Sequence, residues 1–367
     1  MKKRKQYGYY VLVVGIGFAI FTISAWLKPA DTFSVTERRQ LAQFPEITGK
    51  SIKTGLWMTQ LESYLQDQFP MREELRTWKA VTYQYVLGQR DNHNIYVQGD
   101  QISKLQYPYE PKAVQRACQK FQRIYEQYIQ GTDAAVYTAL IPDKNYFLAE
   151  ASGYPCVDYE QLYKDYQEQM DSFSDYIELR DYLELEDYYR TDAHWRQEKI
   201  QDVAEVLAQQ MGITLLETYE PITMENPFYG VYYGQAARKL EPDQITYMDR
   251  AGLKSCTVYD HQNQKEIPVY DRTLGMGRDP YELFLGGSLS VITIENPEAT
   301  TQKELVLIRD SFGNSLAPYL IEGYQKITLL DARYLHESLI GKYVTFENQD
   351  VLFLHSTSVI NELSSFS

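Results

Sequence analysis

The chain opens with a basic hexapeptide, MKKRKQ, followed by an uncharged run from Tyr7 to Leu27. At about 1.5 Å of rise per residue, a helix over that run spans the roughly 30 Å hydrocarbon core of a bilayer. Tyr7, Tyr9, Tyr10 and Trp26 stand at its two ends, where interfacial aromatic residues belong. Basic residues ahead of the span predict a cytoplasmic tail at 1–6, a transmembrane anchor at 7–27 and a main domain outside the cell membrane. A cleaved signal peptide is the competing reading. It calls for a shorter apolar core and a small-residue exit, whereas the exit here is SAWLKP. An uncleaved single-pass anchor is therefore expected, and no later stretch is apolar enough to span.

Past the anchor, residues 28–56 are punctuated by Pro, Thr and Gly and read as an extracellular linker with an extended piece, FSVTERRQLAQFP. From residue 57 onward the pattern is that of one folded domain, 57–367. Trp57, Leu61, Tyr64, Leu65 and Phe69 recur at helical spacing. Pro111 opens a second helix with Val114, Ala117, Phe121, Tyr125 and Tyr128 on one face. Ala134–Ile141 is a strand ending at Pro142. Leu162, Tyr163, Tyr166, Met170 and Phe173 predict another helix, then a short strand at Tyr176–Leu179. Ile200, Val203, Leu207 and Met211 form a helix face that stops at Gly212. Residues 213–285 are irregular and aromatic, with short strands expected. The remainder alternates: strand Leu305–Ile308, helix Phe312–Ile321, strand Lys326–Leu330 and strand Val351–Leu354. Such alternation predicts an α/β sheet with helices on both faces.

Composition narrows the class. A net charge of −14 argues against a nucleic-acid partner, because phosphate binding needs a basic face. The hydrophobic share of 44% is enough for a sizeable core. Tyrosines number 33 against 14 phenylalanines. Tyr has a stacking body and a polar tip, so it suits a sugar-binding surface, but it also serves in a half-wet core. Cys118, Cys156 and Cys256 have no metal-binding spacing, and neither metal nor cofactor is expected.

The chemistry concentrates in two segments. In LVLIRDSFGNSLAPYL, Ser311 falls where a strand turns into a helix. Open α/β sheets build their sites at the carboxyl ends of strands. There the helix N-terminus aims N–H groups at a developing oxyanion. Ser is also a favoured helix cap, so Ser311 alone decides nothing. A nucleophilic serine needs a base. Of the five histidines, His194 stands apart in YYRTDAHWRQEKI, with Asp192 two residues before it. That carboxylate can turn back to the ring and fix its tautomer. The alternative is that Asp192 caps the next helix and His194 faces solvent. His93 and His261 sit in polar turns. His336 and His355 follow late strands without a carboxylate at such spacing on the N-terminal side.

Taken together, D-x-H-W and D-S-F resemble the SGNH-hydrolase-like proteins related to alginate O-acetyltransferases, in particular the Gram-positive DHHW branch. TDAHW at 191–195 stands where that branch has TDHHW, with Ala193 in place of the first His. IRDSFGNSLAPYL at 308–320 stands at its D-S-[FY] turn. FSVTERRQLAQFP, YLQDQFPMREEL, LIPDK, YELFLGGS and LLDARYL also match, so the resemblance covers nearly the whole chain. It implies a three-layer sandwich with a mostly parallel sheet and a permuted motif order, the Asp-x-His preceding the Ser.

The resemblance further implies Ser311 as nucleophile, His194 as base and Asp192 as its orienter. Candidates for the oxyanion or acyl site are the Ser311 N–H, Gly286, Gly287, Asn314 and Arg333, the last with a rival reading as a salt bridge. Tyr188, Tyr189, Tyr232 and Tyr233 are candidates for a glycan groove. The activity implied is an O-acyl transfer, most simply O-acetyl, to a cell-surface polysaccharide through an acyl-serine, with a membrane-bound O-acyltransferase as donor. Carbohydrate esterase and non-catalytic glycan-binding scaffold stand as alternatives.

Overall fold

A computed structural model describes residues 2–215 and 218–366, without the side chains of 2–6, Phe21, Ala25 and Trp26, so the interfacial reading of Trp26 and much of the tail lie outside the described residues. The chain divides into two compact units, 1–93 with 233–240, and 94–232 with 241–367. The division falls at residue 93 rather than at the 56/57 boundary read from the sequence. Residues 56–85 form two helices, Leu56–Asp67 and Arg72–Tyr85, that group with the first unit.

The first unit begins with the helix Lys2–Leu27. Within it, Tyr7–Ser24 is the one helical stretch among the described residues long and apolar enough to cross a membrane. The segment FSVTERRQLAQFP makes a small hairpin, Phe33–Ser34 against Arg39–Gln40. Its charges explain its pattern. Arg39 grips Asp67 with two nitrogens, at 2.9 and 2.6 Å. Glu37 lies between Arg72 at 3.0 Å and Arg76 at 2.5 Å. The hairpin is thus fastened to the helix Leu56–Asp67 by a bidentate pair and to the helix Arg72–Tyr85 through Glu37.

The second unit carries an eight-stranded sheet, numbered here in chain order: β1 Ala135–Ile141, β2 Asp175–Tyr176, β3 Thr257–Asp260, β4 Lys265–Ile267, β5 Val291–Glu295, β6 Glu304–Arg309, β7 Lys326–Leu330 and β8 Asp350–Ser356. The spatial order is β4-β3-β5-β7-β6-β8-β1-β2. From β7 to β2 every pairing is parallel; β4, β3 and β5 add an antiparallel flank. This is the mostly parallel α/β sheet expected.

Side chains alternate between two cores, as the period of a strand requires. Leu305 and Leu307, Leu352 and Leu354, and Ala139 and Ile141 face one core, with the helices Gln201–Gln210 and Phe312–Leu320. Val306 and Ile308, Val351 and Phe353, and Val136 and Leu140 face the other, with the helices Pro111–Ile124 and Tyr159–Met170. A strand buried on both faces reads as a continuous apolar run, and LVLI and VLFL have that form. β5 is a difference from the sequence reading, which leaves 286–304 unassigned. It pairs antiparallel with β7 over Val291–Glu295 and buries Val291, Ile292 and Ile294.

Candidate active site

β6 ends at Arg309 and the helix Phe312–Leu320 begins three residues on. Two residues make the turn, and they divide its work. Asp310 is fully buried. One carboxylate oxygen accepts the Phe312 N–H at 3.0 Å, and the other accepts the Ser356 N–H at the end of β8 at 2.8 Å. Ser311 has helical backbone angles and its side chain makes no cap bond. Capping therefore belongs to Asp310, and the Ser311 hydroxyl is available for other chemistry. The close turn also needs Gly313, where a Cβ would come within 2.8 Å of the Arg309 side chain.

The DAHW segment forms a tight loop closed by backbone bonds from Tyr189 N–H to the His194 carbonyl, 3.1 Å, and from Arg196 N–H to the Asp187 carbonyl, 2.7 Å. Inside it, the Asp192 carboxylate meets His194 Nδ1 at 2.6 Å and also accepts the His194 N–H at 3.1 Å. Its second oxygen accepts the Val231 N–H at 2.7 Å. On the other side of the ring, Nε2 lies 2.8 Å from Ser311 Oγ. Asp192 is buried while the His194 side chain stays 18% exposed, so the carboxylate is dry and the ring edge reaches solvent. An ionised Asp192 can only accept, which places the ring proton on Nδ1 and leaves Nε2 to accept from the serine. The cap-and-surface alternative for Asp192 and His194 is not what the chain does.

Residues beyond the predicted site residues also hold this arrangement. The Tyr281 ring stacks on His194 at 3.9 Å and 15°. Trp195 Nε1 donates to Ser315 Oγ at 2.8 Å, and the Tyr281 hydroxyl shares that same oxygen at 2.9 Å. Ser315 lies on the helix that follows Ser311, so His194 and Ser311 are referenced to one element. Burial holds the Tyr281 hydroxyl protonated, well above the ordinary tyrosine range. The Thr191 hydroxyl donates to Asp243 at 2.6 Å and accepts the Gly230 N–H at 3.0 Å. The signal in sequence was the Trp directly after the His and the Ser four residues past the nucleophile, one turn along its helix. Ala193, where the related pattern has His, is half-buried.

The oxyanion candidates fare differently. Asn314 is fully buried rather than solvent-facing, and its Nδ2 donates to the Gly287 carbonyl at 2.8 Å. Gly286 and Gly287 both take left-handed angles, φ 72° and 79°. The Gly287 N–H is engaged by the Phe284 carbonyl at 3.1 Å, so the pair forms a turn that Asn314 braces. Arg333 binds both oxygens of Asp331, at 2.9 and 2.6 Å, and Asp331 also holds the buried Arg309 at 3.2 Å. The salt-bridge reading of Arg333 is what the structure contains. The Ser311 N–H makes no hydrogen bond among the described residues.

Two of the four tyrosines offered as glycan contacts are core residues. Tyr188 is 1% exposed and donates to the Pro142 carbonyl; Tyr189 is 0% exposed and packs edge-on against Phe228. A YYR triplet leading into a buried loop closes a core rather than lining a groove. Tyr232 is half-buried beside the loop, its N–H on the Thr191 carbonyl at 3.1 Å. Tyr233 falls in the other unit, where its hydroxyl donates to the Leu240 carbonyl at 3.1 Å. Of the remaining histidines, His336 caps a short helical turn, His261 meets Thr293, and His355 is fully buried.

With this geometry in hand, the chain can be set beside known proteins of α/β fold. The sequence pattern of the DHHW protein family matches residues 161–330, which bears out the resemblance read from the two motifs. A DHHW family protein from Eubacterium siraeum superposes with a TM-score of 0.54 at 20% identity, over 73% of this chain and 91% of that one. PatB1 from Bacillus cereus superposes at 0.55 and 16% identity, over 74% and 99%. A structure of PatB1 with a sulfonyl adduct gives 0.56 and 15%, over the same shares. At such identities the likeness concerns the fold. No curated protein matches the sequence.

Proposed function

We propose that this chain is a membrane-anchored, extracytoplasmic O-acyltransferase that moves an acyl group, most simply acetyl, onto a cell-surface polysaccharide. The observation that carries the reading is the continuous hydrogen-bonded line from Asp192 through His194 to Ser311, 2.6 and 2.8 Å long, at the carboxyl end of a parallel strand. Ser311 Oγ attacks the carbonyl carbon of an acyl donor, and its proton passes to His194 Nε2. Asp192 stabilises the imidazolium. The Ser311 N–H, at the positive end of its helix, stabilises the oxyanion. Collapse releases the donor's alcohol, which takes the proton from His194, and leaves an acyl-serine. A sugar hydroxyl then repeats the sequence in reverse and carries the acyl group away.

The apolar helix supports the location, since it passes the length and composition test for a membrane span. The basic residues ahead of it support a domain outside the membrane. Acyl-CoA is cytoplasmic, so an exported domain needs a donor delivered across the bilayer. A membrane-bound O-acyltransferase partner meets that need.

The test uses the full chain with p-nitrophenyl acetate and intact-mass spectrometry. A burst of nitrophenol with one acetyl group on Ser311, absent from Ser311→Ala and His194→Ala, is the expected result. Adding glycan acceptors should discharge the adduct faster than water does. Discharge by water alone would make the protein an esterase. A folded chain that never acylates would leave it a scaffold.

A further inference from the structure

The segment LIPDK, residues 140–144, contributes no atom to the reaction above. It lies where β1 ends and the helix Lys144–Ser152 begins. Asp143 caps that helix and accepts the Thr357 hydroxyl at 2.7 Å and the Tyr159 hydroxyl at 2.9 Å, which accounts for the aspartate. Lys144 is the unexplained member. It is 2% exposed, and it has no ion pair within salt-bridge distance among the described residues. Its ammonium instead donates to three backbone carbonyls: Ile102 at 2.7 Å, Tyr189 at 2.7 Å and Arg190 at 2.6 Å, with the Asp192 carbonyl next at 3.5 Å.

A buried cation costs several kcal/mol unless it is well paired, and these partners are neutral. Three of the four carbonyls belong to the loop that ends in Asp192 and His194. The fourth, Ile102, comes from a strand that is also bonded to that loop, through its N–H to the Arg190 carbonyl at 2.8 Å. A chain that only needed to fill this space would place Leu or Met there. Three N–H bonds from one atom fix three carbonyls in space. Only an ammonium has three hydrogens to give; the neutral amine has two.

We propose that Lys144 is a positioning residue for the acid–base loop, its ammonium drawing the carbonyls of 189–192 together so that Asp192 is held at bonding distance from His194. The proposal rests on the triad reading. Charged groups facing Lys144 act in both directions. Burial lowers its pKa to about 7; Asp243, Asp192 and Asp100 hold the proton on, and Arg190 works against it. Near neutral pH the third bond is therefore sensitive to proton loss.

The test begins with the unaltered full chain, labelled with ¹⁵N-histidine and ¹³C-lysine. The His194 Nδ1–H bound to Asp192 gives a low-field proton resonance. It should shift with pH in step with the Lys144 side-chain signal. A His194 resonance indifferent to the Lys144 titration would overturn the proposal. K144M supplies the kinetic arm. Acylation of Ser311 by p-nitrophenyl acetate should fall about 100-fold, the scale of an ångström-sized misplacement, with KM little changed. K144M with unaltered acylation and an unaltered resonance would also overturn it. If K144M does not fold, the pH titration of the unaltered chain still decides. If that chain shows the coupled resonances but Ser311 never acylates, the acyl-transfer reading fails while the positioning role stands.

Discussion

At the scale of single residues, Asp192 does two jobs through two oxygens. One fixes the His194 tautomer at 2.6 Å, and the other anchors the Val231 N–H at 2.7 Å. D192N preserves the shape but lets the amide donate toward Nδ1, which favours the wrong tautomer. Ser311 acylation is expected to drop about 10³–10⁴-fold with the unfolding temperature nearly constant, measured by stopped-flow nitrophenol release and calorimetry. Gly230 is a second single-residue constraint. A Cβ there would lie 2.3 Å from the Thr191 carbonyl oxygen and 2.5 Å from the Asp192 Cβ. G230A must therefore push the catalytic loop aside, and about a 100-fold loss of acylation is expected. Gly49 has open space around its Cβ position, so G49A should leave acylation unchanged in the same assay.

At the scale of elements, the turn after β6 joins two strands and a helix through Asp310. Its carboxylate takes N–H groups from the start of the helix Phe312–Leu320 and from the end of β8. D310A would leave two buried donors without partners, each worth about 1–3 kcal/mol. A loss of about 2–4 kcal/mol in urea unfolding is expected, whereas S311A, which removes no cap, should lie within about 1 kcal/mol of the parent. The pair separates the capping role from the chemical one. Much of this level was legible in the sequence. The doubly buried strands announced themselves as apolar runs, and the helices as faces at i, i+3 and i+4. The Asp192–His194–Ser311 line was readable because Asp192 and His194 are near in sequence and Ser311 sits at a strand end. β5 was not assigned, although VITIE has the β-branched alternation of a strand. Tyr188 and Tyr189 failed for a physical reason. A tyrosine's hydroxyl can be satisfied by a buried carbonyl as readily as by water or sugar, so composition does not tell Tyr188 from a groove residue. Asn314 failed because its partner, Gly287, is set by a tertiary contact, whereas Arg333 pairs with Asp331 two residues away, as its rival reading had it.

At the scale of the whole molecule, the response to acid below about pH 6.5 should be dominated by a residue outside the Asp192–His194–Ser311 line. His355, on β8, is fully buried between Phe121, stacked at 4.8 Å, and Phe366, edge-on at 5.5 Å. Neither ring nitrogen has a hydrogen-bond partner among the described residues. Burial lowers its pKa to about 4 from the ordinary 6.5, only partly offset by Asp310 and Asp331. The folded chain thus keeps His355 neutral, while the unfolded chain binds a proton below about 6.5. Stability is complete above that pH and declines as pH falls toward 4, by up to about 3 kcal/mol. Asp143, whose carboxyl is raised by burial, works in the opposite direction, and Asp331, held low by the Arg333 and Arg309 pairs against its burial, adds a loss at still lower pH. H355F isolates the histidine. The phenyl ring fits between two aromatic neighbours and cannot titrate. Urea unfolding of the parent and H355F from pH 7.5 to 4.5 should give curves that diverge as pH falls, H355F losing about 2–3 kcal/mol less across the window. Parallel curves would mean that His355 is protonated in the folded chain and that the acid response belongs to the carboxylates. Lys144 and His355, which both resist charging inside this fold, lie at or just past the carboxyl ends of the neighbouring strands β1 and β8. Proton uptake there bears on global stability through His355, and proton loss there bears on the acid–base loop through Lys144.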